Sequence, residues 1–266
     1  MRAILEDIIR KKKRELRERK RVCSRAEIAR KAARRRRPVR DFCAALSRAE
    51  SGIHIIGELK RASPLKGPLA AGMDLPATAR LYEAAGVSAL SVLTDKHFMG
   101  RLEDLETVRA VTALPLLRKD FILDVYQIYE AYLAGADAVL LICAILPPQR
   151  LHALIRSAYR LGMAALVEVH AADEIARLDF SLVRLVGINN RDLRTFQVDC
   201  AATARLAPLI PPGAIIVSES GIRSRRDVEA AARAGADAVL VGEGIVTAAD
   251  IRGKIFALRG LADDQN

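Results

Sequence analysis

The heptapeptide AGADAVL begins at Ala134 and recurs, letter for letter, at Ala234. Each copy sets a glycine just past an Ala-rich stretch of helical composition and just before a β-branched and Leu-rich run. That is a C′ position, where glycine takes the left-handed backbone without strain. Gly86, after Ala84 and Ala85, stands the same way before VSALSVL. Gly86 to Gly135 is 49 residues and Gly135 to Gly235 is 100, so the pattern advances in multiples of close to 50.

Short apolar runs of strand character start near Ile53, Val87, Leu116, Ala136, Met163, Val183, Ala214 and Ala236, which makes eight. Between them lie helical patterns such as LPATARLYEAAG and SRRDVEAAARAG. Strands alternating with helices predict parallel pairing through helical crossovers. Two βα units per 50 residues is the arithmetic of a closed (β/α)8 TIM barrel. A doubly wound open sheet is the alternative, and it would usually carry a GxGxxG turn after its first strand. None is present.

Before Ile53 the sequence predicts helices. Leu5, Ile9 and Leu16 share one face of a helix over residues 2–22, and that stripe must pack on something. Ser24 with Glu27 reads as a capping box opening a second helix that runs out near Pro38. Asp41 is placed to cap a short third helix through Ala49. The expected organisation is a helical extension over residues 1–50 packed on a barrel over residues 51–266.

Charge separates the same two parts. From Lys11 to Arg37 there are 15 Lys/Arg against 3 Glu, a net of +12, whereas everything after Arg37 sums to −1. Such a segment could serve as a nucleic-acid arm. A solvated helix surface is favoured, because no aromatic residue is interleaved to stack on bases. Nucleic acid is therefore not expected as the main partner. No apolar run is long enough for a membrane span, and residues 1–10 lack the apolar core of a signal peptide. Four scattered cysteines without a CxxC pair argue against zinc and disulfides and fit the reducing cytoplasm.

In a barrel of this kind the active site lies at the C-terminal ends of the strands. The polar residues that end the runs are Glu58 and Lys60, then Thr94 and Asp95, then Lys119 and Asp120. Little follows the fourth strand; Glu168 and His170, Asn189 and Arg191, Ser218 to Ser220, and Gly242 and Glu243 complete the rim. Glu58 and Lys60 sit two apart and so share a strand face, as a site would require and as a strand-end ion pair would equally. Ser220-Gly221 and Gly242-Glu243 follow strands seven and eight, where barrels commonly bind phosphate through backbone N–H groups. In a closed barrel Lys60, on the first strand, faces that seam.

Lys119 and Glu168 are the acid–base candidates. A crowded positive rim is expected to lower the Lys119 ammonium, and burial to raise the Glu168 carboxyl. A Schiff base at Lys119 or a structural salt bridge at either residue is equally compatible with the residues alone.

The stretches GELKRASPLKG, SVLTDKHFMG, LRKDFILDVYQIYEAYLAGADAVLLI, LVEVH, VGINNRDLRTFQVD, VSESGI and AVLVGE resemble, in order and almost end to end, those of indole-3-glycerol phosphate synthases. The resemblance implies a TIM barrel with an N-terminal helical extension. It implies cyclisation of 1-(2-carboxyphenylamino)-1-deoxyribulose 5-phosphate to indole-3-glycerol phosphate, with loss of carbon dioxide and water and with no cofactor and no metal.

By the same resemblance Lys119 is the general acid at the ketone and Glu168 the general base or cation stabiliser. Glu58 and Asn189 assist dehydration, and Lys60 and Arg191 hold the anionic ends of the substrate. Ser220, Gly221, Gly242 and Glu243 line the phosphate site; Ser63, Pro64 and Phe121 line the anthranilate side. A monomer or weak dimer is expected. Phosphoribosylanthranilate isomerase, a barrel with the same phosphate seam, is the competing enzyme, but a Cys/Asp pair would be expected there. The chain departs from the family at Leu65, where many members have Ser, and at GEGIV, where GESLM is usual.

Overall fold

A computed structural model describes residues 2–47, 52–63, 66–192 and 197–261. Its eight parallel strands are β1 (His54–Leu59), β2 (Ala89–Leu93), β3 (Leu116–Lys119), β4 (Ala138–Ile142), β5 (Ala164–Val169), β6 (Leu185–Asn189), β7 (Ile215–Glu219) and β8 (Ala238–Val241). Each falls on a run expected from the sequence. They close into a barrel, with β1 paired to β8 through Ile55↔Val239 and to β2 through Glu58↔Ser91.

Period-2 alternation along the strands separates two apolar layers. Ile56, Leu117, Leu140, Leu166, Val217 and Leu240 pack together inside the barrel. Their neighbours Ile55, Leu116, Val139, Val167, Ile216 and Val239 pack outward against the helices. The alternation also decides what reaches the mouth. Two residues beyond Ile56, Leu117, Leu166, Val217 and Leu240 come Glu58, Lys119, Glu168, Glu219 and Gly242. The pleat therefore sends one residue from each of these strands into a common ring above the barrel's apolar plug.

The repeated heptapeptide has a physical reason. Gly135 and Gly235 take φ of 100° and 94°, closing the helices α5 (Val125–Ala134) and α9 (Arg225–Arg233). Asp137 and Asp237 then each accept, through Oδ2 at 2.9 Å, the N–H that opens or follows the opening of the neighbouring strand, from Leu116 and Ile216 respectively. Asp137 carries more. It is fully buried and also pairs with Arg109 at 2.6 Å and Arg37 at 3.2 Å.

The N-terminal segment departs from expectation in four ways. Helix α1 (Arg2–Val22) and helix α2 (Arg25–Arg34) form, and Ser24 and Glu27 make the expected capping box. The chain leaves helix at Arg35, however, several residues short of Pro38. Proline disfavours helix in the residue before it, and the extended path lets Arg37 reach Tyr132, Ala136 and Asp137. Asp41 does cap a turn, accepting from Ala44 N–H at 2.9 Å, but the turn is a 3-10 helix over Ala44–Leu46. Residues 48 and 49 of the expected third helix lie outside the described residues.

The face of α1 that packs is also rotated from the one expected. Ile8 and Leu16 are buried, Ile9 is half-buried, and Lys12 lies between the buried pair at 2% exposure. The +12 segment is thus not wholly a solvated surface. Lys12 meets Asp95 at 2.6 Å and Asp120 at 2.8 Å, Arg19 meets Glu130 at 3.0 Å, and Lys20 meets Asp124 at 2.9 Å. Each barrel carboxylate sits where a cation of α1 comes down on it. Among the described residues no helix is long and apolar enough to cross a membrane.

Candidate active site

One cavity of about 530 Å³ opens at the C-terminal end of the barrel. The acid–base candidates Lys119, Glu168, Glu58 and Asn189 line it, and so do Lys60, Ser63, Phe121 and Arg191. So do Ser220, Gly221, Gly242 and Glu243, which lie 162 to 185 residues beyond Glu58 in sequence. Pro64 and Leu65 lie outside the described residues. The side chains of Leu5 and Ile8 from α1 also face this cavity, beside Phe98, Phe121 and Ile142, so the extension forms part of the apolar wall.

Lys119 stands at the centre of the charge. Its Nζ is 3.1 Å from Glu219 Oε2 and 3.5 Å from Glu168 Oε2. The rim around it is negative, contrary to the expectation of a crowded positive one. Burial alone would lower the ammonium, but Glu219, Glu168 and Glu58 outweigh burial, and the net shift is upward. The surroundings thus favour the ammonium over the free amine that a Schiff base requires.

The expectation for Glu168 is reversed for the same reason. Burial pushes its carboxyl up, yet Lys119, His170 and a hydrogen bond from Asn189 bring it well below the ordinary glutamate value. The raised carboxyl is its neighbour. Glu219, 1% exposed, is pushed up to about 7, burial and the charges of Glu168 and Glu58 prevailing over Lys119. Gly187 on β6 makes room for it, since a Cβ there would collide with Glu219 Oε1.

Around this core the remaining candidates find partners. Lys60 Nζ lies 3.2 Å from Glu58 Oε1, so the two share a face as their spacing requires. Asn189 Oδ1 accepts the N–H of Arg191 at 3.0 Å, which fixes the turn leaving β6. Glu243 is tied to Lys66 and, at 3.4 Å, to Arg223. Its side chain is thereby occupied, and what it offers an anion is its backbone. Ser220 and Gly221 both have positive φ, 67° and 82°. For Ser220 this is a strained conformation, and Asn190 Nδ2 holds it by donating to the Ser220 carbonyl at 3.0 Å.

Sequence reasoning left several of these residues unassigned. Glu219 and His170 stood among the rim residues without a role. Asn190, buried between Ser218, Ser220 and Thr203, carried no signal beyond its place beside Asn189. Arg118 is wholly buried, with Nη2 2.9 Å from Asp120, and Asp120 is held low by Arg118 and Lys12 against the effect of burial. A strand arginine adjacent to an apolar residue gives no hint of this. Among the described residues no group of three His, Cys, Asp or Glu is arranged to hold a metal ion.

Comparison with known proteins agrees with this geometry. The profile of the indole-3-glycerol phosphate synthase family matches residues 5–258. The indole-3-glycerol phosphate synthase of Kineococcus radiotolerans is 46% identical over 253 residues, 94% of this chain and 92% of that protein. That of Dehalococcoides mccartyi is 49% identical over 210 residues, 77% of this chain and 81% of the relative. Among solved structures, 3-hexulose-6-phosphate synthase from Salmonella typhimurium superposes with a TM-score of 0.59 at 17% identity, over 78% of this chain and 97% of that one. A likeness at that identity speaks to the barrel alone. With a profile match across nearly its whole length and relatives close to half identical, the chain belongs to the indole-3-glycerol phosphate synthase family.

Proposed function

We propose that this chain converts 1-(2-carboxyphenylamino)-1-deoxyribulose 5-phosphate to indole-3-glycerol phosphate, as a carboxy-lyase of tryptophan biosynthesis. The observation that carries the reading is the charged Lys119 between Glu168 and Glu219, beneath a seam of glycines from the last two strands. The ring carbon bearing the carboxylate attacks the ketone carbon while Lys119 gives a proton to the ketone oxygen. Carbon dioxide then leaves, its bonding electrons returning to the ring. The new hydroxyl takes a second proton, from Lys119 once it is recharged, and departs as water, while the CH2 beside the nitrogen gives up a proton to complete the indole double bond.

Glu168, ionised and buried, stabilises the positive charge that the ring and amine carry during these steps and takes up the proton released as they end. Glu58 and Asn189 serve the dehydration. Glu219, whose carboxyl titrates near neutrality, is placed to return a proton to Lys119. Lys60 and Arg191 hold the anionic ends of the substrate. Ser220, Gly221, Gly242 and Glu243 bind the phosphate through the backbone, and Ser63, Pro64 and Phe121 bound the anthranilate side. In this reading residues 1–50 are an extension that braces the mouth and residues 51–266 are the catalytic barrel. It works in the cytoplasm as a monomer or weak dimer, on an anionic phosphosugar–anthranilate.

Purified protein given this substrate, without added metal, should form a fluorescent indole product that co-elutes with indole-3-glycerol phosphate. Unchanged substrate after prolonged incubation would overturn the assignment.

Gly242→Ala tests the seam. A Cβ at this position collides with Glu58 Oε1, so the substitution displaces Glu58 and pushes the backbone off the anion. We expect kcat/KM to fall about 100-fold. Stability should fall by about 1–3 kcal/mol for the overpacking. Unaltered steady-state kinetics would remove Gly242 from the phosphate site.

A further inference from the structure

His170 has no part in the steps above, although it is nearly buried at the rim. Its Nε2 lies 3.3 Å from Glu168 Oε1 and its Nδ1 lies 3.5 Å from Glu174 Oε2. Glu174 is buried on the short helix α7 (Ala172–Ile175), and its Oε2 accepts the His170 backbone N–H at 2.8 Å. A row of carboxylate, imidazole and carboxylate therefore runs from behind β5 into the cavity. On its other oxygen Glu168 faces Lys119 at 3.5 Å.

Glu168 thus sits between two cations, and one of them gives its proton away. When Lys119 protonates the ketone oxygen, its charge leaves the site. A buried carboxylate that loses its counter-charge takes up a proton instead. It would do so at the step when positive charge develops on the substrate's ring and amine.

The geometry points to His170 as a positioning residue: the imidazolium clamped between Glu168 and Glu174 keeps Glu168 ionised and oriented while Lys119 is discharged. The inference rests on the roles given above to Lys119 and Glu168.

The surrounding groups support a cationic ring. Burial disfavours the imidazolium, but the two carboxylates outweigh it and hold His170 up to about 10. Asn189, from β6, hydrogen-bonds Glu168 without adding charge. On the far side Cys143 Sγ lies 3.8 Å from the Glu174 carbonyl, with Arg177 Nη2 3.8 Å from the same sulfur. Burial pushes that thiol up to about 11, so it is neutral where the enzyme works.

The chain has four histidines, so imidazole 15N NMR, with the rings assigned through the backbone of the wild-type protein, reads His170 directly. His170 is expected to stay doubly protonated through about pH 8, well above the ordinary histidine value. In turnover, His170→Gln keeps the size and loses the charge, and kcat should fall about tenfold or more with KM held within about twofold. His170→Lys, which restores a cation, should recover most of that loss. A part in fold alone predicts the opposite order, with Gln tolerated and Lys not.

A singly protonated His170 at neutral pH, wild-type kcat in His170→Gln, or equal losses in both variants would overturn the inference. If neither variant folds, the ring's protonation in the wild-type protein decides. That measurement needs no turnover, so a neutral His170 defeats the clamp and leaves the ring-closure reading standing.

Discussion

Lys119→Met is expected to lower kcat by at least about a thousandfold, the combined loss of a general acid and of the charge that stabilises the developing alkoxide. Methionine keeps the unbranched stem and removes the ammonium. Taking a cation from beside buried carboxylates usually costs several kcal/mol, but here the site has a way to relax. Glu219 already titrates near 7. Without Lys119 it should pick up a proton and stay neutral in its pocket. The variant should therefore fold, with wild-type circular dichroism and a modest fall in Tm.

Product fluorescence under saturating substrate measures kcat, and the activity left in Lys119→Met reports what binding and the remaining donors contribute. Turnover within about tenfold of wild type would remove Lys119 from the acid's role. Lys119→Arg is informative beside it. Guanidinium keeps the charge but is a far weaker acid, so it should preserve substrate binding and restore little of kcat.

The barrel was written plainly in the sequence because its signals are local. The C′ glycines, the length of each apolar run and the repeated AGADAVL depend on neighbours a few residues away. Which residues reach the mouth was also readable, since the pleat fixes that Glu58, Lys119, Glu168 and Gly242 follow inward-facing positions by two. The sign of the field at the mouth was not. Lys119 was expected among cations, yet Glu219 and Glu58 come from strands remote in sequence, and the closed barrel alone brings them near.

Lys12 shows the same limit from the other side. On a helix of mostly exposed basic residues, nothing in the letters distinguishes the one lysine that turns inward. Asp95 and Asp120 select it, from the ends of β2 and β3, with Arg118 behind them. Removing the first 37 residues to test their positive charge would therefore also take a cation from the buried Asp95 and Asp120. Variants of the exposed Lys13, Arg14 and Arg17 isolate the charge better.

The repeated heptapeptide supplies its own control for the largest expected effect on stability. Asp137→Ala should lower stability by about 3–5 kcal/mol, because it strips the buried partner from Arg37 and Arg109. At this chain length that corresponds to a fall in Tm of roughly 6–20 °C. Asp237→Ala removes the equivalent acceptor for a strand N–H, but Asp237 is half-buried, and solvent can replace part of what is lost. It should cost less than Asp137→Ala, about 1–2 kcal/mol.

The difference between the two variants reports how much more the fully buried aspartate carries than its half-buried counterpart. Arg37 lies in the extended chain after α2 and Arg109 ends α4 (Glu103–Arg109), so the same carboxylate joins the N-terminal segment to the floor of the barrel. Thermal unfolding followed by circular dichroism would show both effects on one scale. A loss in Asp137→Ala of no more than about 1.5 kcal/mol would mean that Asp137 acts through its strand hydrogen bond alone. The hold of the extension on the barrel would then rest with Lys12, Arg19 and Lys20.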